Sequence, residues 1–304
     1  MRGGYLGAGL RPPGARLGLI IAFAAALAWA FFDASRKALV SRIPVASLQL
    51  WLTALPVPAL LGWWVAAGAP APDPAWWPIG AGAVLTNVLI ARSLLNAMSL
   101  APLGIVVPLL STTPLVSAVI AFAWAGQVPS SGAQLAFLVE LGGVGLMLAG
   151  APRGRSSWAG LGWTFLATVA ISLGTVVDRQ GVQVAHPGFH GAMVNSGGAT
   201  VVCGMVVARG QAAGLRLPPG AGLPALGAAA LALAAQALQL IALQHVLVGV
   251  VEGLKRGVGL AVAVLIGRLL FREQMTPTRT AAAAVMLVGV LMLAAAAGAP
   301  PPAR

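Results

Sequence analysis

Three ionisable residues lie one helical turn apart inside a long apolar stretch near the C-terminal end of the sequence. Glu252, Lys255 and Arg256 are spaced by three and four residues, which places all three on one stripe of an α-helix. An ammonium group beside a planar guanidinium is suited to bind a carboxylate or a phosphate. The stripe therefore predicts a site for an anion. The alternative is structural: Lys255 and Arg256 extend toward a nearby polar boundary, and Glu252 neutralises one of them.

Glu140 is a second acidic residue within an apolar stretch, and its own predicted helix carries no basic residue. A carboxyl group removed from water and from cations is expected to hold a proton. Two roles are compatible with that state. Glu140 either carries protons in a coupled process or is a neutral group hydrogen-bonded to a neighbouring helix or a second subunit.

Two more groups of charges close predicted helices at similar places in the two halves of the chain. Asp33, Arg36 and Lys37 form the first group, and Asp178 and Arg179 form the second. One interpretation makes them a pair of gates that break and form in turn. The other makes them charge-paired residues at helix ends.

A polar pair and three prolines complete the candidate site residues. Arg92 and Asn96 lie one turn apart near the end of the third apolar stretch. Arg92 is therefore either a substrate contact or a side chain that extends to the polar boundary. Pro102, Pro108 and Pro114 interrupt the next stretch, and such breaks release backbone carbonyls that often line a site, although they also simply shape a helix.

The sequence lacks the signatures of metal-dependent and covalent catalysis. His186, His190 and His245 are scattered and match no metal-ligand spacing, so no metal is expected. Motifs for zinc proteases, nucleophilic serine hydrolases and phosphate-binding loops are missing as well. We therefore expect neither catalytic residues nor a cofactor, and no enzyme activity.

Composition identifies the environment in which these residues must be positioned. Hydrophobic residues make up 59% and charged residues 8% of the 304 residues, and mean hydropathy is +0.92. This is far from the composition of a soluble domain, so the formal net charge of +12 is better explained by anionic lipid headgroups than by nucleic acid. Trp63, Trp64, Trp76, Trp77 and Trp158 stand near the ends of apolar runs, as interfacial anchors do.

The apolar runs are continuous and close to the length of about 20 residues that a membrane-spanning helix needs. They predict an all-α membrane protein with ten transmembrane helices, at 17–38, 47–67, 76–98, 102–125, 133–149, 158–178, 189–208, 223–244, 248–271 and 279–297. Gly249, Gly253 and Gly257 form a row of small residues on which a second helix can pack closely.

The chain also repeats itself. Residues 96–148 and 242–293 share an apolar run, a polar break and a Gly-rich closing helix, and Gln127–Gly143 matches Glu273–Gly289 with an offset of 146 residues. We expect two five-helix repeats, residues 1–150 and 151–304. Because five is odd, the second repeat enters the membrane upside down, so the repeats are inverted.

The sequence resembles the EamA-type, ten-span branch of the drug/metabolite transporter superfamily over nearly its whole length. The residues that carry the resemblance are Gly253-Leu254-Lys255-Arg256, the Gly267–Glu273 stretch, Val288-Gly289-Val290, and Pro108 with Pro114. Gln127 departs from the family, which usually has Glu there. The resemblance implies secondary transport of small metabolites, amino acids or drug-like compounds, with both termini in the cytoplasm. The distribution of arginines over the loops conflicts with that orientation.

The predicted function is a secondary active transporter in the cell (inner) membrane. It is expected to export a small metabolite such as an amino acid by alternating access, as a monomer or homodimer, either with or without coupling to protons. A multidrug or lipophilic-compound exporter is an alternative, and a polytopic membrane enzyme acting on lipid-linked substrates is a more distant one. Nucleic acid is not an expected partner.

Overall fold

The computed structural model describes residues 14–40, 42–100, 109–126, 128–149, 158–269 and 277–298. In these residues the regular structure is helical throughout. The α-helices are α1 Gly14–Val40, α2 Val45–Ala54, α3 Val57–Ala66, α4 Trp76–Leu100, α5 Thr113–Ala125, α6 Ser131–Ala149, α7 Trp158–Val184, α8 Pro187–Ala208, α9 Gly222–His245, α10 Val248–Leu269 and α11 Pro277–Gly298. A short 3-10 helix, Ala212–Leu215, lies between α8 and α9.

Five segments of the described chain are long and apolar enough to cross a membrane: Leu17–Arg36, Val45–Ala66, Trp158–Val184, Pro187–Ala208 and Gly222–His245. Their exposed surface is also apolar, since Phe23, Phe165 and Leu226 are about half exposed or more. A soluble protein would not leave such side chains in water on several helices. The chain is therefore an α-helical membrane protein.

Two of the predicted spans are interrupted. The predicted 47–67 span is divided into α2 and α3 at Leu55–Pro56. Within the predicted 102–125 span, the chain turns at Ser111–Thr112 before α5 begins, and Pro114 lies in the first turn of that helix, where its missing N–H has no cost. Pro102 and Pro108 lie outside the described residues.

Hydrogen bonds near the ends of helices define two ends of the molecule. At the first, which we call the α7–α8 end, Gln244 Nε2 donates to the carbonyl of Val182 (3.1 Å). At the other, the α8–α9 end, Ser47 Oγ donates to the carbonyl of Leu215 (3.2 Å). The α7–α8 end contains the starts of α1, α4, α8 and α10. The α8–α9 end contains the end of α1 and the starts of α2 and α9.

Helices from the two predicted repeats pack mainly on each other. α1 packs along α9 and α10, α4 packs along α7, and α6 packs along α11. α5 contacts both α7 and α10, while α2 and α3 pack on α8. The largest buried apolar cluster takes side chains from α1, α5, α6, α7, α9 and α10. The two predicted repeats therefore share one core, and the charged stripe of α10 lies within it.

The contact between α6 and α11 has a reciprocal geometry. A Cβ on Gly289 would lie 2.6 Å from Glu140 Cγ, and a Cβ on Gly143 would lie 2.4 Å from Met286 Cγ. Each helix therefore inserts one long side chain over a glycine of the other. Gly143 and Gly289 are 146 residues apart, as are Glu140 and Met286, which is the offset of the sequence repeat.

Candidate functional site

Glu252 is a fully buried carboxylate near the start of α10. Its side chain has no exposed surface, although it lies only four residues after Val248, roughly 6 Å along the helix. Oε1 accepts a hydrogen bond from Thr175 Oγ1 on α7 (2.8 Å) and another from Lys255 Nζ. Because an isolated charge is very costly in such a place, the ion pair with Lys255 is what allows the carboxylate to remain there.

Lys255 and Arg256 are both tied to other helices. Lys255 Nζ donates to Gln239 Oε1 on α9 (3.3 Å) and lies 5.4 Å from the ring centroid of Trp29 on α1. Arg256 Nε donates to Thr113 Oγ1 (2.8 Å), the first residue of α5. The three predicted site residues therefore meet side chains of four other helices. These contacts hold Lys255 and Arg256 among the helices, and the pair of Lys255 with Glu252 is the neutralisation that the structural alternative also includes.

Some polar atoms at this cluster are buried without a partner among the described residues. Glu252 Oε2 has none within hydrogen-bonding distance, since Arg256 Nε is 3.9 Å away. The indole Nε1 of Trp29 is also unpaired there, as is Ser117 Oγ on α5. A buried acceptor and a buried donor that lack partners each cost stability, so such atoms suit a site that gains bonds when a ligand arrives.

The second predicted gate is divided between two networks. Asp178 Oδ1 lies 3.1 Å from His190 Nε2, while Arg179, which is 7% exposed, donates from Nη1 to the carbonyl of Val246. His190 Nδ1 in turn accepts a hydrogen bond from Trp76 Nε1 (3.1 Å). Trp76 is only 3% exposed, so the interpretation of this tryptophan as an interfacial anchor is wrong.

His190 and Trp76 were missed as a site because they lie 114 residues apart. Their local signal is weak: Gly181, three residues after Asp178, leaves the space that the imidazole fills, and a Cβ there would lie 2.3 Å from His190 Cε1. Nearby His186 caps the start of α8 by accepting the Gly188 N–H at Nδ1 (3.1 Å). Partial burial lowers the pKa of His186, which favours the neutral form that this cap requires.

The first predicted gate is an exposed ion pair. Arg36 donates to Asp33 Oδ1 (2.9 Å), and the two side chains are 34% and 52% exposed. The side chain of Lys37 lies outside the described part of the structure. Asp33 is near the end of α1 and Asp178 near the end of α7, so the two acidic residues belong to opposite ends of the molecule.

The remaining candidates lie apart from the Glu252 cluster. Arg92 is exposed on α4, and Asn96, one turn later, is partly buried. Glu140 is 4% exposed at the α6–α11 contact, and its Oε1 has no hydrogen-bond partner among the described residues. Within the residues that the structure describes, no three His, Cys, Asp or Glu side chains are grouped as a metal site would require.

No protein-family model matches the chain, and no curated protein matches it. The fold is similar to that in a solved crystal structure of a protein. The TM-score is 0.73 with 15% sequence identity, over 91% of this chain and 96% of the other. At such low identity the likeness shows the fold alone.

Proposed function

We propose that the chain is a secondary active carrier that exports a small metabolite such as an amino acid, and that the Glu252 cluster binds the substrate. The buried charges at Glu252, Lys255 and Arg256 are the observation that carries this proposal. Charged side chains within membrane helices are costly, and they usually mark a pathway for a substrate or an ion. Here they lie among helices from both halves of the chain rather than toward lipid.

The pattern of helix contacts supports an origin in two equivalent halves. The first five predicted spans are α1, α2/α3, α4, α5 and α6, and they correspond in order to α7, α8, α9, α10 and α11. When each helix is replaced by its counterpart, the α1–α9 contact becomes the α7–α4 contact, and the α1–α10 contact becomes the α7–α5 contact. The α5–α10, α6–α11 and α2/α3–α8 contacts are each unchanged. α1 starts at the α7–α8 end, whereas α7 finishes there. This opposite direction is what an inverted repeat with ten spans predicts, and alternating access is commonly built on that arrangement.

The α6–α11 contact gives independent support for the same relation. The Glu140–Gly289 and Met286–Gly143 contacts exchange under the offset of 146 residues. A two-fold axis relating the repeats would pass between these helices. The resemblance to EamA-type transporters and the repeat boundary near residue 150 are parts of the same proposal.

Both signs of charge at the site favour a zwitterionic substrate. The guanidinium of Arg256 is held through Nε by Thr113, and its planar fork suits a carboxylate. The unpaired Oε2 of Glu252 is an acceptor suited to an ammonium group. The indole N–H of Trp29 is a further donor. An amino acid would complete these bonds without leaving a buried charge unpaired.

Flux of labelled amino acids across reconstituted vesicles, with and without a proton gradient, tests this function. We expect saturable flux in the unaltered protein. In Arg256→Lys, which keeps the charge but loses the fork, we expect KM to rise about tenfold, the effect of about one charge-assisted hydrogen bond. Lys255→Ala should abolish flux. Arg209→Gln, at an exposed position after α8, is the matched control and should transport normally.

Two other outcomes would change the proposal. If no amino acid is transported but lipophilic compounds are, the multidrug alternative replaces the metabolite carrier. If Arg256→Lys and Arg209→Gln have equal KM values, the Glu252 cluster is not the substrate site. Glu140→Gln belongs in the same assay: loss of gradient-driven flux in this variant, with gradient-free exchange intact, would make Glu140 the group that carries the proton.

A further inference from the structure

A buried histidine joins three helices at the α7–α8 end. His190 on α8 is 1% exposed and lies between Trp76, the first residue of α4, and Asp178 on α7. Trp76 Nε1 and Asp178 Oδ1 lie 3.1 Å from its two ring nitrogens. We call these three side chains the His190 latch. Edge-to-face packing of Trp76 on Phe189, with ring centroids 4.8 Å apart, adds an apolar layer beside it.

The bonding partners determine which ring nitrogen carries the proton. The indole N–H of Trp76 is only a donor, so His190 Nδ1 must be the acceptor in this contact. The hydrogen of the neutral imidazole is then on Nε2, where it is donated to Asp178. A second proton has to bind at Nδ1, whose lone pair is already used. The protonated ring would place an N–H group against the N–H group of Trp76, and that hydrogen bond would be lost.

We propose that His190 is a proton-binding site whose protonation releases Trp76 and opens the α7–α8 end of the molecule. The proton comes from water and binds at Nδ1 of the imidazole. The Trp76 hydrogen bond breaks, while the Nε2–H group keeps its bond to the carboxylate of Asp178, which stabilises the imidazolium. Asp178 is 26% exposed and provides the contact of the latch with water.

The latch is connected to the Glu252 cluster through one segment of α7. Thr175, which donates to Glu252, is one helical turn before Asp178. Arg179 and Val182, which follow Asp178, bond to Val246 and Gln244 at the end of α9. Release of Trp76 frees the start of α4, which packs along α7, the helix that carries the Glu252 partner Thr175. The link to substrate movement rests on the carrier function proposed above, whereas the latch itself does not.

Other charged and titratable groups near the latch are occupied elsewhere. Asp73 in the α3–α4 connection accepts the Ala75 N–H at Oδ1 (2.8 Å). His186 caps α8, and Arg179 is directed to the carbonyl of Val246. α3 presents Leu60 and Trp64 to this part of α8. Among the described residues, Asp178 is the charged group that directly contacts His190.

Cysteine labelling tests the latch without knowledge of any substrate. Ala83, Val177 and Val194 form the buried layer next to the latch on α4, α7 and α8, and Ala83 is 1% exposed. In a Cys203→Ser background, Ala83→Cys is labelled with a water-soluble maleimide in the purified, full-length protein. Relative to an exposed reference cysteine measured at the same pH, we expect labelling about tenfold faster at about pH 5.5 than at about pH 7.5, values on either side of the ordinary range for histidine.

Four controls separate the latch from other effects of pH. Ala212→Cys, at an exposed position of the opposite end, corrects for the pH dependence of thiol reactivity. Ala136→Cys, fully buried at the α6–α11 contact, reports general unfolding. His190→Gln mimics the neutral ring, because its amide oxygen accepts from Trp76 and its amide nitrogen donates to Asp178. It should remain closed at both pH values. Trp76→Phe, which lacks the donor, should be labelled rapidly at both.

Two results would overturn the proposal. Equal labelling of Ala83→Cys at both pH values, relative to Ala212→Cys, would mean that the histidine is only a structural link. A pH dependence that persists in His190→Gln would assign the effect to another group. Because no flux is measured, failure of the carrier proposal would leave this result unchanged. Likewise, a negative result for the His190 latch would leave the outcome of the substrate assay unchanged.

Discussion

At the scale of single residues, the cluster on α10 combines a high cost with a specific arrangement. The carboxylate of Glu252 is fully buried, and Lys255 is its ion-pair partner. Removing both charges from such a pair is often tolerated. Removing one leaves the other buried and unpaired, which is strongly destabilising. The burial explains why Lys255 has to be near Glu252, but not why a membrane protein would have a carboxylate there at all. The substrate binding proposed above would supply that reason.

Single and double substitutions of this pair test whether both groups are charged. We expect Lys255→Met to lower the free energy of unfolding in detergent by about 3 kcal/mol. Adding Glu252→Gln to it should restore part of that loss. Arg36→Met is the control, because its ion pair with Asp33 is exposed, and it should change the free energy of unfolding by about 1 kcal/mol or less. Equal effects of Lys255→Met and Arg36→Met would mean that Glu252 is neutral.

At the scale of helices, the α6–α11 contact depends on two glycines that face long side chains. The obstacle to a larger residue is the backbone as well as the side chain. A Cβ on Gly289 would lie 3.1 Å from the nitrogen of Glu140 and 3.2 Å from the carbonyl oxygen of Ala136. Helix backbone cannot move away as a flexible side chain can, so the helices would have to separate. Glu140 and Met286 occupy equivalent places in this contact, each over a glycine of the other helix, so α6 has a carboxylic acid where α11 has a methionine.

Glycine-to-alanine substitutions measure how tightly these helices pack. Gly289→Ala should lower the free energy of unfolding by about 1–3 kcal/mol through overpacking. Gly142→Ala is the matched control on α6, since its Cβ would meet nothing within 4 Å. It should raise that free energy by about 0.5–1 kcal/mol, the helix preference of alanine over glycine. Thermal unfolding in detergent compares them, and equal effects of the two changes would contradict close packing at Gly289.

Helix positions were largely predictable from the sequence, whereas breaks within helices were less so. Long apolar runs predicted helices where α1, α4, α7, α8 and α9 lie, because apolar length alone determines them. The division at Leu55–Pro56 was not predicted, since a proline within a membrane helix is often accommodated as a kink. The prolines of the predicted 102–125 span did indicate an interruption of that helix. Its position at Ser111–Thr112, next to the residue that binds Arg256, is decided by tertiary contacts.

At the scale of the whole molecule, the proposed inverted repeat has a direct consequence for sidedness. The α3–α4 connection and the α8–α9 connection occupy corresponding places in the two repeats. The first lies at the α7–α8 end, where the Asp73 N–H donates to the Val184 carbonyl (2.9 Å). The second lies at the opposite end. In a membrane they should therefore face different compartments.

Single cysteines in these two connections test that arrangement. Ala71→Cys and Ala212→Cys, both at exposed positions, are introduced separately into a Cys203→Ser background. In sealed vesicles of uniform orientation, an impermeant maleimide should label one variant before lysis and the other only afterwards. Labelling of both before lysis would refute the opposite sidedness. Whichever variant is labelled first also decides between the orientation expected from the arginines and that expected from the family resemblance.

Composition and apolar run length determined by themselves that this is a helical membrane protein, because burying backbone polar groups in lipid permits few other structures. Local spacing also grouped Glu252, Lys255 and Arg256, since one turn of a helix brings them together. The His190 latch, the Thr113 and Gln239 contacts and the true partners of Asp178 and Arg179 depended on tertiary structure. These contacts join residues 12 to 143 positions apart, and no local periodicity reports which helices become neighbours.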